Sequence, residues 1–251
     1  MTVFYFTATG NSLAVAKRIG GTLVSIPQIV DSENLHYRDD AIGVVFPIYY
    51  FATPKMVSQF LDKVNFEADY VFAIGTYGIM PGAAMLNLQK QAQKNGYRFD
   101  YVNHLLMVDN FLPISEVSKQ IKKLPRKRIE KKTEQIVSDV NNRKHLQVMA
   151  SPVFRAVTAI VSTMIPSGKN AQEYIVNSQC NKCGICAKVC PSGNIDVTDK
   201  VCFANNCEVC FACLHLCPQN AMHHKSQKSE KRWRNPEVSL NEIIIANNRG
   251  G

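Results

Sequence analysis

The cysteines constrain this chain most. There are nine, and the first is residue 180 of 251. Eight fall into two runs of identical spacing. They are Cys180-x2-Cys183-x2-Cys186-x3-Cys190-Pro191 and Cys207-x2-Cys210-x2-Cys213-x3-Cys217-Pro218. Each cysteine of the second run lies 27 residues after its counterpart. The region is therefore an internal repeat of one cysteine-rich unit. A disulfide framework would spread its cysteines along a secreted chain, whereas cysteines clustered in one stretch read as metal ligands.

The spacing discriminates between metals. Zinc usually takes two separated C-x2-C pairs. A third cysteine at +6 and a Cys-Pro at +10, both duplicated, have no role in such a site. The runs resemble those of bacterial two-cluster ferredoxins, in which three cysteines hold one [4Fe–4S] cluster and the Cys-Pro holds the other. The resemblance runs from about Tyr174 to Lys228. It takes in Tyr174-Ile175-Val176 before the first loop and Pro218-Gln219-Asn220-Ala221-Met222 after the last cysteine. It implies one cluster on Cys180, Cys183, Cys186 and Cys217, and a second on Cys207, Cys210, Cys213 and Cys190. Gly184, Ala187 and Ala212 leave room beside a cluster. Cys202 lies outside the repeat and reads as a small buried residue. His215, His223 and His224 read as surface or packing histidines.

The N-terminal half has a different grammar. Met1–Phe6 is β-rich, Thr7-Ala8-Thr9-Gly10-Asn11-Ser12 follows, and Leu13–Ile19 has helical periodicity. A hydroxyl- and glycine-rich loop opening onto a helix N-terminus cradles phosphate through backbone N–H groups and the helix dipole. A capped turn with Thr9 or Ser12 as N-cap is the plainer reading. Neither G-x-G-x-x-G nor G-x4-G-K-[ST] occurs in the chain. The loop resembles the flavodoxin phosphate loop [ST]-x-T-G-x-[ST], with Thr7, Thr9, Gly10, Asn11 and Ser12 matching, and it contains no Lys or Arg. The ligand that this resemblance implies is FMN. Ala41–Phe46 and Tyr70–Ile74 read as central parallel strands. They run into Pro47-Ile48-Tyr49-Tyr50-Phe51 and Gly75-Thr76-Tyr77-Gly78, two loops that in flavodoxins sandwich the flavin ring. Pro47, Tyr49, Tyr50, Thr76, Tyr77 and Gly78 are the ring-contact candidates, and the tyrosines are those for stacking. Asp109-Asn110-Phe111, after a strand at 102–108, is a further contact candidate. Strands near 2–6, 22–26, 41–46, 70–75 and 102–108, with helices between most of them, suit a βα fold.

Charge is uneven. The net charge is +9, and residues 115–150 hold ten basic against four acidic residues. Eight Lys or Arg lie in Lys119–Lys132, where Pro125 prevents a single helix. This reads as a solvated connector or a docking patch for an acidic redox partner. No aromatic platform accompanies it, so nucleic acid is not expected. Val153–Ile165, broken by Arg155, is too short to span a bilayer. It reads as a helix packed between domains, with membrane-surface contact as the lesser alternative. No basic region precedes the first apolar residues, which leads to the expectation of a cytoplasmic protein. Trp233–Ile244 reads as a turn and short helix, capped by Ser239 or Asn235, docking onto the body.

Taken together, these motifs resemble the flavodoxin–ferredoxin fusions of the EFR-type ferrodoxin family. The resemblance implies a doubly wound parallel five-stranded sheet of order 2-1-3-4-5 over residues 1–114. A basic helical connector over 115–172, a small α+β two-cluster ferredoxin domain over 173–228 and a tail over 229–251 follow. It also implies FMN, two [4Fe–4S] clusters and anaerobic electron transfer to or from an acidic ferredoxin or flavodoxin. The alternative is an FMN-dependent reductase of a small substrate fed by its own clusters, with Tyr49, Tyr77 and His104 as proton-donor candidates. No residue is assigned as catalytic.

Overall fold

The computed structural model describes residues 1–163 and 171–249. The first part runs β1 (Thr2–Tyr5), α1 (Asn11–Ile19), β2 (Thr22–Ser25), α2 (Ile26–Ile29), β3 (His36–Arg38), β4 (Ala41–Pro47), α3 (Lys55–Lys63), β5 (Asn65–Glu67), β6 (Tyr70–Tyr77), α4 (Ala84–Lys94) and β7 (Tyr101–Leu106). Helices α5 (Val117–Lys122), α6 (Leu124–Lys127), α7 (Ile129–Asn141) and α8 (Pro152–Ser162) follow. The C-terminal part runs β8 (Tyr174–Val176), α9 (Ile185–Lys188), β9 (Ile195–Val197), β10 (Val201–Phe203), α10 (Ala212–His215), β11 (Met222–His224) and α11 (Leu240–Asn247).

Five parallel strands form one sheet in the order β2-β1-β4-β6-β7. Numbered among themselves, they give the expected flavodoxin-like order 2-1-3-4-5. Each expected strand is present within a residue or two. β4 and β6 are buried almost throughout, as strands covered on both faces must be. Alternation divides their neighbour cleanly: Val3 and Tyr5 of β1 join one core, Phe4 and Phe6 the other. The parallel pair β3–β5 was not expected. Each of its strands has three residues, only the middle one partly buried, so no apolar run announced it.

The ferredoxin-like part has two antiparallel ribbons, β8–β11 and β9–β10. It does not hang from a linker. Val189, Ala212 and Leu216 belong to the same hydrophobic core as Val15 of α1, Val45 of β4 and Ile136 of α7. The tail completes this core with Val238, Ile243 and Ala246.

The connector departs from expectation at one buried lysine. Pro125 does interrupt it, opening α6, and Arg128 (φ +51°) turns the chain into α7. However, Lys127 is buried, and its Nζ donates to Met107 O and to Gln120 Oε1. Helix α8 rests on the sheet domain, and its Val161 lines one cavity with Val209, Cys210 and Phe211 of the ferredoxin-like part. Ser151 caps it, and Thr158 Oγ1 accepts from Ala83 N at 2.8 Å on the loop before α4. Val153 and Ile160 remain 69% and 61% exposed. The tail adds Val238, Ile243 and Ala246 to the core shared by the two parts. Met164 and Ile165 of the expected helix lie outside the described residues.

The tail docks as anticipated. Ser239 forms a capping box with Glu242. Asn235, the other cap candidate, accepts from Glu237 N in the preceding turn. Lys17 pairs with Glu242 at 2.6 Å and Arg18 with Glu237 at 3.2 Å. At the end of α11, buried Asn247 Nδ2 donates to Thr7 O at 3.0 Å and to Val189 O at 3.2 Å. One side chain thus ties a loop of the sheet domain to the ferredoxin-like part. Replacing it leaves two buried carbonyls without that donor, at about 1–3 kcal/mol. Asn247→Ala is expected to lower the thermal midpoint and to speed amide exchange across Leu240–Asn247. Ser239→Ala costs about 1 kcal/mol through the lost cap and should speed the same exchange less.

Candidate functional site

The loop after β1 turns at Gly10, whose φ of +96° favours glycine. A Cβ there would lie 2.9 Å from Val238 Cβ and 3.1 Å from Asn235 Cβ. Gly10 therefore makes the turn and receives the tail, and it does not line the cavity described below. Gly10 itself is the N-cap of α1, so neither Thr9 nor Ser12 caps it. Thr7 Oγ1 accepts from Gly10 N at 3.2 Å. Ser12 Oγ lies 2.9 Å from Thr76 Oγ1, and Thr9 Oγ1 accepts from Asn110 Nδ2 at 2.5 Å. Thr7, Thr9, Ser12 and Thr76 are all buried. The result is a cluster of neutral hydroxyls at the N-terminus of a nine-residue helix, with no Lys or Arg side chain on its cavity wall among the described residues.

These hydroxyls form the inner end of a cavity of about 440 Å³. Of the eleven cofactor-contact candidates, every one but Gly10 lines it. The loop after β4 supplies Pro47, Tyr49 and Tyr50, and the loop after β6 supplies Tyr77 and Gly78. The loop after β4 holds two consecutive residues at positive φ, Tyr50 at +49° and Phe51 at +61°. Paired Tyr49–Ala52 backbone hydrogen bonds of 3.0 and 2.8 Å close this strained turn. Tyr50 meets Phe111 edge-on and Tyr77 meets His104 edge-on. His104 does not line the cavity, which removes it as a donor there. Tyr49 packs edge-on against Phe6, and its buried hydroxyl has no hydrogen-bond partner among the described residues. Burial, with Cys210 and Glu208 nearby, pushes that phenol well above its ordinary range.

Asp109, Asn110 and Phe111 also line the cavity. The Asp109 carboxyl is buried and accepts from Ser115 Oγ, and burial raises its pKa. Gly78 makes this possible, since a Cβ there would lie 2.3 Å from Asp109 Oδ1. Sequence reading named Asp109 but had no signal that it would be buried. His215 is a packing histidine with a defined tautomer. Its Nδ1 accepts from Trp233 N at 3.1 Å, so Nε2 carries the proton and donates to Asn110 O at 2.7 Å. Burial pulls its pKa down to about 4.

The cysteines form two sets. Cys180, Cys183, Cys186 and Cys217 surround one small cavity with Val176, Ile185 and Met222. Cys190, Cys207, Cys210 and Cys213 surround another with Tyr174, Phe203 and Phe211. In each, the fourth cysteine crosses over from the other run, as the sequence resemblance implied. Sulfurs arranged around a void suit a polynuclear group. N–H donors point at them with the same offset in both repeats: Asn194 N to Cys190 Sγ at 3.2 Å and Ala221 N to Cys217 Sγ at 3.3 Å. Cys207 Sγ also accepts from Val209 N and lies 3.3 Å from Tyr174 OH. Cys202 is exposed, contrary to expectation. Its β10 neighbours Val201 and Phe203 are the partly buried ones, and strand alternation points it to solvent.

The two kinds of site meet. Val209, Cys210 and Phe211 line the large cavity, and Cys210 also lines the second cysteine cavity. Cys210 and Phe211 line both, so a cysteine and an aromatic side chain form the partition between them.

Comparison with known proteins agrees with the cysteine geometry. The family model "4Fe-4S binding domain" matches residues 173–196. The C-terminal part carries a 4Fe–4S binding domain. No curated protein matches the chain. Among solved structures, Megasphaera elsdenii flavodoxin is similar at 16% identity, covering 45% of this chain and 90% of its own, with a TM-score of 0.32. A Bacteroides uniformis protein described as a flavoprotein is 20% identical, covering 43% and 91%, with a TM-score of 0.33. The fold assignment rests on the strand order and register above. Cys202→Ser is expected to leave iron per chain unchanged, whereas Cys183→Ser, which alters the first cysteine set, should lower it. Iron and acid-labile sulfide assays on anaerobically prepared protein check this.

Proposed function

We propose that this chain is an electron-transfer iron–sulfur flavoprotein with FMN in the large cavity and a [4Fe–4S] cluster in each four-cysteine site. The observation that carries the reading is Cys210, shared by the large cavity and the second cysteine site. The residues fit the groups. Buried neutral hydroxyls at the α1 N-terminus suit a monophosphate, and the apolar and aromatic walls suit a flat ring system. When bound, the clusters carry electrons singly and FMN takes one or two, so one-electron traffic can be joined to two-electron chemistry.

The chain's own part is positioning, shielding and tuning. Val209 and Phe211 wall off the seam around Cys210. Asn194 N, Val209 N and Tyr174 OH surround the sulfurs of the second site, and donors to cluster sulfurs raise potentials. Tyr174→Phe is therefore expected to make one cluster potential more negative and leave the other near its original value, as read by redox titration. An acidic ferredoxin or flavodoxin is the partner the basic chain favours. The second reading, FMN-dependent reduction of a small substrate, draws support from buried Asp109 as a protonatable group in the cavity. Steady turnover with a substrate, lost in Asp109→Asn while FMN and iron are retained, would favour it.

The test is composition and cross-ligation. Anaerobically purified protein should contain about eight iron per chain, as two four-iron clusters, and one FMN. Cys190→Ser and Cys213→Ser strike the same site, so their double variant should keep about half the iron. Cys190→Ser with Cys186→Ser, both from one sequence run, strikes both sites and should lose nearly all. The opposite pattern contradicts the crossed assignment. In the large cavity, Thr9→Val should weaken FMN binding about tenfold, the equivalent of about 1.4 kcal/mol for a lost donor.

A further inference from the structure

Resting on the electron-transfer reading, we infer that the Cys180–Cys183–Cys186–Cys217 site is the external port. Its partner is a small one-electron redox protein with surface carboxylates, seated on Asn181–Gly184 and Pro218–Gln219. The two cysteine sites are equivalent in sequence but not in surroundings. The second is enclosed. Cys213 and Phe211 are buried, Cys210 opens onto the large cavity, and Glu208 accepts from Met56 N at 3.0 Å, at the start of α3. The sheet domain thus closes over the loop that carries this site. At the first site, by contrast, Cys183 is exposed, as are its neighbours Asn181 and Lys182 and, across the cavity, Pro218 and Gln219. Electron tunnelling falls steeply with distance, so a partner's centre approaches closest over Cys183.

The rim also selects the partner's charge. Among the described residues, Lys182 is the one charged residue lining this site, and no carboxylate lines it. Val176, Ile185, Val197 and Met222 give the site its apolar walls. A lysine beside apolar surface fits a partner whose own centre is edged by carboxylates. The denser basic stretch Lys119–Lys132 is a poorer port. Lys127 is buried, Lys119 is paired with Glu116 at 3.1 Å, and none of the stretch lines a cysteine site.

One electron leaves the partner and one reduces the first site, with no proton or bond change at the contact. The full holoprotein would be mixed anaerobically with a photoreduced acidic two-iron ferredoxin, following cluster and flavin absorbance. Lys182→Glu should slow cluster reduction about tenfold or more at low ionic strength, and added salt should shrink the difference. A Lys122→Glu/Lys123→Glu variant should react as the parent does. Dithionite, too small to need the rim, should reduce all three alike. A parental rate for Lys182→Glu, or an equal loss in the connector variant, overturns the port. Clusters reduced through Lys182 without any change at the flavin would leave the port standing and contradict the electron-transfer reading instead.

Discussion

The architecture depends on a core that two domains share. Small ferredoxin-like units have little apolar interior and are stabilised in good part by their metal. Here such a unit also buries Val189, Ala212 and Leu216 against the α1 side of a parallel sheet. Residues that begin more than 220 positions after β1 seal this contact. Val238 packs onto Gly10, and Asn247 bonds Thr7 O and Val189 O together. The phosphate-type loop is thus braced from behind by the end of the chain. Gly10 serves that brace as much as it serves the turn.

This shared core fixes the seam where the large cavity lies. Ligands of open parallel sheets bind beyond the carboxyl ends of the strands. The loops after β1, β4, β6 and β7 converge there, and the ferredoxin-like part closes the remaining side with Val209–Phe211. A side chain shared by two cavities needs both walls held at a fixed distance. The bonds from His215 to Asn110 O and from Trp233 N to His215 hold one wall. Glu208 on the start of α3 holds the other. These contacts explain why neither part reads as an independent module in space, although each does in sequence.

Much of this was legible beforehand, for physical reasons. The cysteine spacing encodes a ligand set that no other common site uses, and the crossed pairing follows the known pattern. The five strands were visible because buried parallel strands are apolar runs. What escaped was set by tertiary contact. The burial of Lys127 and Asp109 depends on how α5–α7 return across the sheet edge, and composition points both to solvent. Cys202 was expected inside, but its exposure depends on the register of a three-residue strand. Helix α8 reaches the inter-domain cavity through Val161, but the tail's share of the seam rests on contacts more than 200 residues apart that no local pattern announces. The tyrosines line the cavity as expected, yet the described contacts leave them edge-on to protein rings, so which of them stacks on a ligand is decided by the ligand.

The central claim is that the second cysteine site and the large cavity form one electron-transfer unit within a single chain. Rapid-mixing reduction of the holoprotein at several protein concentrations tests it most directly. Flavin reduction after cluster reduction should proceed at a rate independent of protein concentration. It should disappear in Cys213→Ser that still holds FMN. A rate that rises with protein concentration, or one unchanged by Cys213→Ser, would contradict the account.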